Sequence, residues 1–146
     1  MKRRYLFMLA LTFVLAACST DQTIKTGATS DRLSPCPNSP NCVSSLSEDK
    51  SHQVEPLTYN VPLDVAREKL ISVINSMKRS EIATAENNYL HATFKSFLFR
   101  FVDDVEFSFD DERKIIDVRS ASRTGYSDFG VNRRRVEEIR RRFMAP

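Results

Sequence analysis

Apolar residues recur at helical spacing in two segments of the chain, and this spacing predicts two helices. The first helix is expected over residues 62–78, with Pro62 in the first turn, where a missing N–H carries no penalty. The second is expected over residues 133–143, with Asn132 as its N-cap and Val131 packed against Val136 as a hydrophobic staple. The apolar stripes consist of Ala66, Leu70, Val73, Ile74 and Met77 in the first helix, and of Val136, Ile139 and Phe143 in the second.

Apolar and polar residues alternate in the remaining segments, which predicts β-strands. A loose alternation over residues 53–60 predicts a first strand, and Pro56 makes it an edge or irregular strand. EIATAE and YLHATFKSFLFRF predict two strands joined by a tight Asn-Asn turn at residues 87–88. VDDVEFSFD and KIIDVRSAS predict two more strands, with a turn at residues 110–112. In VDDVEFSFD one face carries Val105, Phe107 and Phe109, and the other carries Asp104, Glu106 and Ser108.

The predicted order is strand, helix, four strands, helix, which is typical of the α+β class. We expect a two-layer sandwich, in which two helices pack on one face of an antiparallel sheet of four to five strands. The helices are expected on the face of Val105, Phe107 and Phe109, and a curved helix-grip sheet is the alternative. About 95 residues follow residue 51, enough for one hydrophobic core but not for two.

The N-terminus predicts export from the cytoplasm. Three basic residues precede an uncharged apolar run at residues 6–17, and this run is too short to span a membrane but fits a signal peptide. Leu15-Ala16-Ala17-Cys18 resembles the lipobox of bacterial lipoproteins, which implies cleavage before Cys18, a thioether-linked lipid on its sulfur, and palmitate or another acyl chain on its amine. By the same resemblance, Ser19 favours the outer membrane. An ordinary signal peptide with an incidental Cys18 is the alternative.

Processing changes the charge balance of the protein. The full chain has 22 Lys and Arg against 19 Asp and Glu. Cleavage removes three of the basic residues, so 19 of each sign remain and the mature chain is formally neutral. A whole-protein argument for nucleic-acid binding therefore fails.

Export also bears on the remaining cysteines, Cys36 and Cys42. Disulfides persist outside the cytoplasm, and with Cys18 lipidated these two form an even pair. Zinc would need two more ligands, yet the two histidines match no zinc-binding spacing, and the five-residue gap is not a redox C-x-x-C. The sequence favours a disulfide, with a metal site and free thiols as alternatives. The layout is a signal peptide (1–17), a lipidated flexible tether (18–34), and one domain (35–146) that opens with the disulfide loop.

The stretch RSASRTGYSDFGVNRRR, residues 119–135, is the most unusual in the chain. Two of the three glycines lie in it, and three arginines open the helix, although a helix N-terminus disfavours positive charge. Either nearby acids offset the repulsion in a structural network, or an external anion binds there. The candidate network or anion site comprises Asp103, Asp104, Glu106, Arg119, Ser120, Ser122, Arg123, Gly125, Tyr126, Asp128, Gly130, Asn132, Arg133, Arg134 and Arg135.

Catalytic motifs are weak. Ser120 or Ser122 could be drawn as a triad with His91 and an aspartate, but no nucleophile elbow supports it, and His91 is expected on the solvent side of its strand. Calcium at Asp103, Asp104 and Glu106 is disfavoured because Asp103 points away from the other two. We therefore predict no cofactor, no metal and no catalytic residue. Two hypotheses remain: a lipid-anchored binding or scaffolding domain that captures an anionic ligand or an envelope protein, and a periplasmic enzyme that uses the acid/Arg loop.

Three stretches, PCPNSPNCVSS, FRFVDDVEFSFD and IIDVRSASRTGYSDFGVNRRRVEEIRRRF, resemble the DUF1499 family of uncharacterised proteins. The resemblance covers residues 33–143. That family includes bacterial envelope proteins and plastid relatives. The resemblance supports the domain boundaries and the disulfide loop, and it implies no activity.

Overall fold

A computed structural model describes residues 33–146 of the chain. The predicted signal peptide, Cys18 and nearly all of the predicted tether lie outside the described residues. The described elements, in chain order, are β1 (Cys42–Ser44), β2 (Leu57–Thr58), α1 (Leu63–Asn75), β3 (Ser80–Ala85), β4 (Tyr89–Lys95), β5 (Val102–Asp110), β6 (Ile115–Ser122) and α2 (Val131–Met144).

The strands form one antiparallel sheet in the order β1-β6-β5-β4-β3, and β2 pairs with β6 beside β1. Leu90 on β4 lies opposite Phe107 on β5, and Phe107 lies opposite Val118 on β6. The predicted α+β class with an antiparallel sheet is confirmed. The described sheet has six strands rather than the expected four to five.

The hydrophobic core lies between one face of the sheet and both helices. Alternate residues of β4, β5 and β6, among them Leu90, Phe107 and Val118, are fully buried against Leu70 of α1 and Ile139 of α2. The helices thus cover the face that the alternation in VDDVEFSFD predicted, and the packing is roughly that of the expected two layers. The opposite face of the sheet, here called the polar face, carries the charged partners of the alternation.

Two expectations for the N-terminal part of the domain were wrong. The strand predicted over residues 53–60 is reduced to Leu57–Thr58, which follows Pro56, a residue with no N–H for a strand ladder. Strand β1 was missed because its three residues, CVS, lie in the stretch that the cysteines and prolines marked as a loop. Its edge of the sheet is completed by an isolated bridge between Ser44 and Gln53.

Element ends also differ from the predictions. Strand β4 ends at Lys95, and residues 96–101 turn back as a loop, in which Ser96 N–H donates to the carbonyl of Phe101 at 2.8 Å. Helix α1 ends at Asn75 rather than near residue 78. Its last carbonyls accept from the N–H groups of Ser76 and Met77. Ser80 Oγ also lies within hydrogen-bond distance of the Ile74 carbonyl, at 2.7 Å.

The start of α2 differs from the prediction in its capping. The N-cap is Gly130, in a left-handed conformation with φ of 76°, and Asn132 lies inside the helix with its side chain fully buried. Asn132 bonds inward because Asp128 already occupies the capping position, accepting from the N–H groups of Gly130 and Asn132 at 2.9 and 2.6 Å. Val131 is exposed, so the predicted staple with Val136 does not form.

The predicted Cys36–Cys42 disulfide is present, with 5.6 Å between the two Cα atoms. It fixes the segment of residues 33–41, here called the N-terminal arm, to the first residue of β1. The arm is also hydrogen-bonded at its end, because Asn41 accepts from Ser122 N–H at 3.0 Å and donates through Nδ2 to the Gly125 carbonyl at 2.5 Å. The disulfide thus joins the arm to β1, and Asn41 joins it to the loop after β6.

Candidate functional site

The candidate residues from the sequence do not form one site, because the strand alternation divides them between the two faces of the sheet. Asp104 and Glu106 lie on the polar face, with Arg119 directly opposite Glu106 on β6. Asp103 and Ser120 lie on the helix-covered face, below α2. The polar face holds two ion-pair networks, and the helix-covered face holds one.

Asp104 is the centre of the first network on the polar face. Arg123 donates to both of its carboxylate oxygens, each at 2.8 Å, and His91 Nε2 lies 2.8 Å from Oδ1. Burial acts to raise the pKa of Asp104, but the hydrogen bonds from Arg123 and His91 outweigh it and lower the pKa to about 2. Asp104 is therefore a charged carboxylate that is hydrogen-bonded by both Arg123 and His91, and it is not free to act as a general base.

Glu106 anchors the second network, one row along the polar face. Tyr89 donates its hydroxyl to Oε1 at 2.8 Å, and Arg119 Nη1 donates to Oε2 at 2.9 Å. Glu106 is only 1% exposed, so both oxygens depend on these partners. Burial, and then the hydrogen bond to Glu106, raise the pKa of Tyr89. Arg119 Nε is buried with no hydrogen-bond partner among the described residues.

The helix-covered face holds the third carboxylate of VDDVEF. Arg135 of α2 donates to Asp103 Oδ2 at 2.5 Å, and its guanidinium lies 4.8 Å from the centre of the Phe94 ring. Ser120 donates to Asn132 Oδ1 at 2.5 Å, and Asn132 Nδ2 donates to Ser122 Oγ at 3.0 Å. An arginine of α2 thus pairs with a carboxylate of the VDDVEF strand.

The Gly-containing loop positions the start of α2. Gly125 and Gly130 both adopt positive φ, 86° and 76°, which a residue without Cβ accommodates without strain. Arg134 Nη1 donates to the Phe129 carbonyl at 2.9 Å. Arg133 donates to the carbonyls of Gln53 and Ser51 at 2.6 and 2.7 Å. The three arginines therefore leave the helix N-terminus in three directions. Asp128 takes the place beside the terminal amides that an external anion would occupy.

Sequence reasoning misjudged the burial of one residue of these networks and missed another. His91 was expected towards solvent, yet it is only 7% exposed and pairs with Asp104. Tyr89 was not singled out, although it lies on the same face two residues earlier, and strand alternation would have placed it there. The drawn triad does not form, because Ser120 and Ser122 lie on the face opposite His91.

A separate cleft of about 860 Å³ lies at the other end of the sheet, between the N-terminal arm and the polar face. The arm contributes Leu33 and Cys36, and the sheet contributes Ser108 and Asp117. Asp117 is held by Ser45 Oγ at 2.8 Å. None of the loop residues between β6 and α2 lines this cleft, so the structure separates it from the predicted site.

Within residues 33–146, no three His, Cys, Asp or Glu side chains are grouped so that they could hold a metal ion. No helix in the same range is long and apolar enough to cross a bilayer.

Comparisons with known proteins identify the family of the chain. A comparison with curated proteins returns no match. A family model described as a protein of unknown function, DUF1499, matches residues 32–143, which include every described strand and all but the last residue of α2. The chain therefore belongs to the DUF1499 family.

Proposed function

We propose that this protein is a lipid-anchored component of the bacterial cell envelope that acts by binding or scaffolding rather than by catalysis. The anchor is Cys18, and the domain faces the periplasm from the outer membrane. The basic n-region, the short apolar run and the LAAC sequence support this location. Each buried methylene of an acyl chain contributes about 0.8 kcal/mol, so two or three chains anchor a protein stably.

One observation carries the choice of binding over catalysis: the acids of the candidate site are already engaged. Asp103 pairs with Arg135, Asp104 with Arg123 and His91, and Glu106 with Arg119 and Tyr89. A general acid or base needs a proton that it can exchange with substrate. Carboxylates held by arginine in this way fit a structural role.

The arrangement also bears on the anionic ligand expected at the Arg/Gly loop. A phosphate or carboxylate at the start of α2 would have to displace Asp128 from the amides of Gly130 and Asn132. It would also have to draw Arg133 away from two backbone carbonyls. These competing contacts favour the structural interpretation of the loop, and they favour a macromolecular partner over a small anion.

Mass spectrometry of the protein purified from its own envelope tests both parts of the proposal. Under denaturing conditions we expect a mature chain that begins at an acylated Cys18, and an unmodified Cys18 would refute the anchor. Under native conditions we expect a noncovalent adduct that denaturation removes. Protein that carries no adduct and instead turns over an envelope substrate would refute the binding role. Asp104→Asn is the matched variant, because loss of such turnover in it would assign catalysis to the acid/Arg loop.

A further inference from the structure

The end of the sheet that carries the Arg/Gly loop also presents an exposed aromatic surface. Two loops form it, residues 96–101 between β4 and β5 and residues 123–130 between β6 and α2; together they are called the aromatic rim. The loops leave from neighbouring strands, since Arg123 N–H donates to the Val102 carbonyl at 3.0 Å. They therefore lie side by side at one end of the domain.

All five exposed aromatic side chains of residues 33–146 belong to this rim. Most of their surface faces solvent, and a leucine lies among them: Phe97 80%, Leu98 73%, Phe99 70%, Phe101 53%, Tyr126 72% and Phe129 88% exposed. Scattered surface apolar residues need no explanation, but several exposed on two loops at one end of the domain, with the Phe99 and Phe101 rings 5.5 Å apart, are typical of an interaction surface.

The fold itself gains little from these side chains. Phe129 is the most exposed of them, and it adopts a positive φ of 53°, a conformation that suits glycine or asparagine far better than an aromatic residue. Arg100, at the tip of the other loop, also has a φ of 53°. Both loops thus contain a non-glycine residue in a left-handed conformation, and their aromatic rings are exposed rather than packed in the core.

Basic side chains surround the aromatic ones. Lys78 and Arg100 are exposed and form no ion pair with another described residue. Arg79 lies over the Phe97 ring at 5.5 Å. Of the nearby acids, Glu81 is paired with Lys95 at 3.5 Å, and Asp128 accepts from the backbone amides of Gly130 and Asn132. The basic side chains without an acidic partner therefore outnumber the unpaired acids at the rim.

We propose that the aromatic rim docks onto the surface of an anionic phospholipid bilayer. Aromatic rings prefer the boundary between headgroups and acyl chains, and basic side chains interact with anionic headgroups. The rim combines both on two exposed loops at one end of the sheet. The proposal uses the anchor of the proposed function only to keep the domain near lipid. The tether of residues 18–34 joins the domain at the end of the sheet opposite the rim. Fully extended, this tether spans up to about 60 Å, more than the length of about 30 Å of a strand of 9 residues such as β5.

Site-specific fluorescence on the full acylated protein tests this docking. Phe97→Cys and Phe129→Cys are each labelled with an environment-sensitive dye, and Lys50→Cys, an exposed position outside the rim, serves as the matched control. The proteins are reconstituted into vesicles of phosphatidylethanolamine and phosphatidylglycerol. We expect a blue shift and quenching by lipid-borne quenchers at both rim positions, and neither at the control.

Charge and self-association are tested in the same system. Lys78→Gln with Arg100→Gln, or vesicles of phosphatidylcholine alone, should reduce the blue shift at both rim positions. Rim labels that stay in water while the protein co-sediments with vesicles would overturn the docking and leave the anchor intact. Failure to co-sediment would overturn the docking and count against the anchor as well. A blue shift without vesicles that grows with protein concentration would overturn the proposal in favour of a second copy of the chain.

Discussion

Replacing Arg135 with glutamine tests whether the Arg/Gly loop is built around a structural ion pair. Arg135 and Asp103 are 10% and 7% exposed in their side chains, and their atoms meet at 2.5 Å. The substitution leaves the Asp103 carboxylate buried beside the Phe94 ring without its cation. It also removes the contacts from Arg135 to Ser120 and Asn132.

The expected loss of stability is large for a domain of this size. Breaking a buried pair by removing one partner costs about 3–5 kcal/mol, and we expect the lower end because glutamine can still donate a hydrogen bond. The free energy of unfolding of a single domain is only about 5–15 kcal/mol. The variant should therefore fold, with a clearly lower free energy of unfolding.

Urea denaturation at neutral pH measures the effect, and the neighbouring arginine supplies the control. Arg134 is exposed and contacts the Phe129 carbonyl rather than an acid, so Arg134→Gln should cost at most about 1 kcal/mol. The double variant Arg135→Gln with Asp103→Asn removes the orphaned charge. It should recover part of the loss, and this recovery measures the coupling between the two side chains.

Two results would refute the reasoning. Equal unfolding midpoints for Arg135→Gln and Arg134→Gln would mean that the buried pair contributes nothing to stability. An unchanged midpoint for Arg135→Gln, together with phosphate stabilisation of the wild type that the variant loses, would show that an anion site exists there. Melts of Arg133→Gln with and without phosphate complete the series, because Arg133 contacts backbone carbonyls alone.

Three further predictions follow from the same contacts. Cys36 and Cys42 should resist alkylation in protein taken from the periplasm, and their reduction should lower the free energy of unfolding by up to about 2 kcal/mol; two alkylated thiols in the intact mass would exclude the bond. Protonation of Asp104 favours the unfolded chain, because its pKa falls from 3.8 unfolded to about 2 folded. Its contribution of about 2 kcal/mol should therefore be lost as the pH falls from near 4 to near 2, and Asp104→Asn should flatten urea midpoints over that range. Asp128→Ala should lower the melting temperature by an amount equivalent to about 1 kcal/mol, since it frees the amides of Gly130 and Asn132; an unchanged melt would mean that water replaces this cap without loss.

The periodic part of the fold was predictable because its signals are local. Strand β5 has the bounds that its alternation indicates, β6 begins one residue later than predicted, and the apolar stripes of both helices are in the core. The face of VDDVEFSFD that packs against the helices was also correct. Each of these features depends on residues that are only a few positions apart in the sequence.

The missed features depend on contacts that are distant in sequence. Strand β1 exists because Cys42 and Ser44 find partners on β6 at Ala121 and Arg119, and no local pattern shows this. Alternation placed His91 on the polar face, but it could not show that this face is buried by paired side chains. The run FLFRF was interpreted as strand because it is apolar, although apolar character does not show what covers a residue.

The two faces of the sheet together explain why three arginines can open α2. Asp128 offsets the positive charge of the terminal amides, and Asp103 draws Arg135 below the helix into the core. Arg133 turns to backbone carbonyls of the segment beside β1. Contacts inside the domain thus offset the conflict between the helix dipole and the arginines. If the charges of this loop serve the fold, recognition falls to side chains that the fold does not use, and the aromatic rim at the same end of the sheet is such a group.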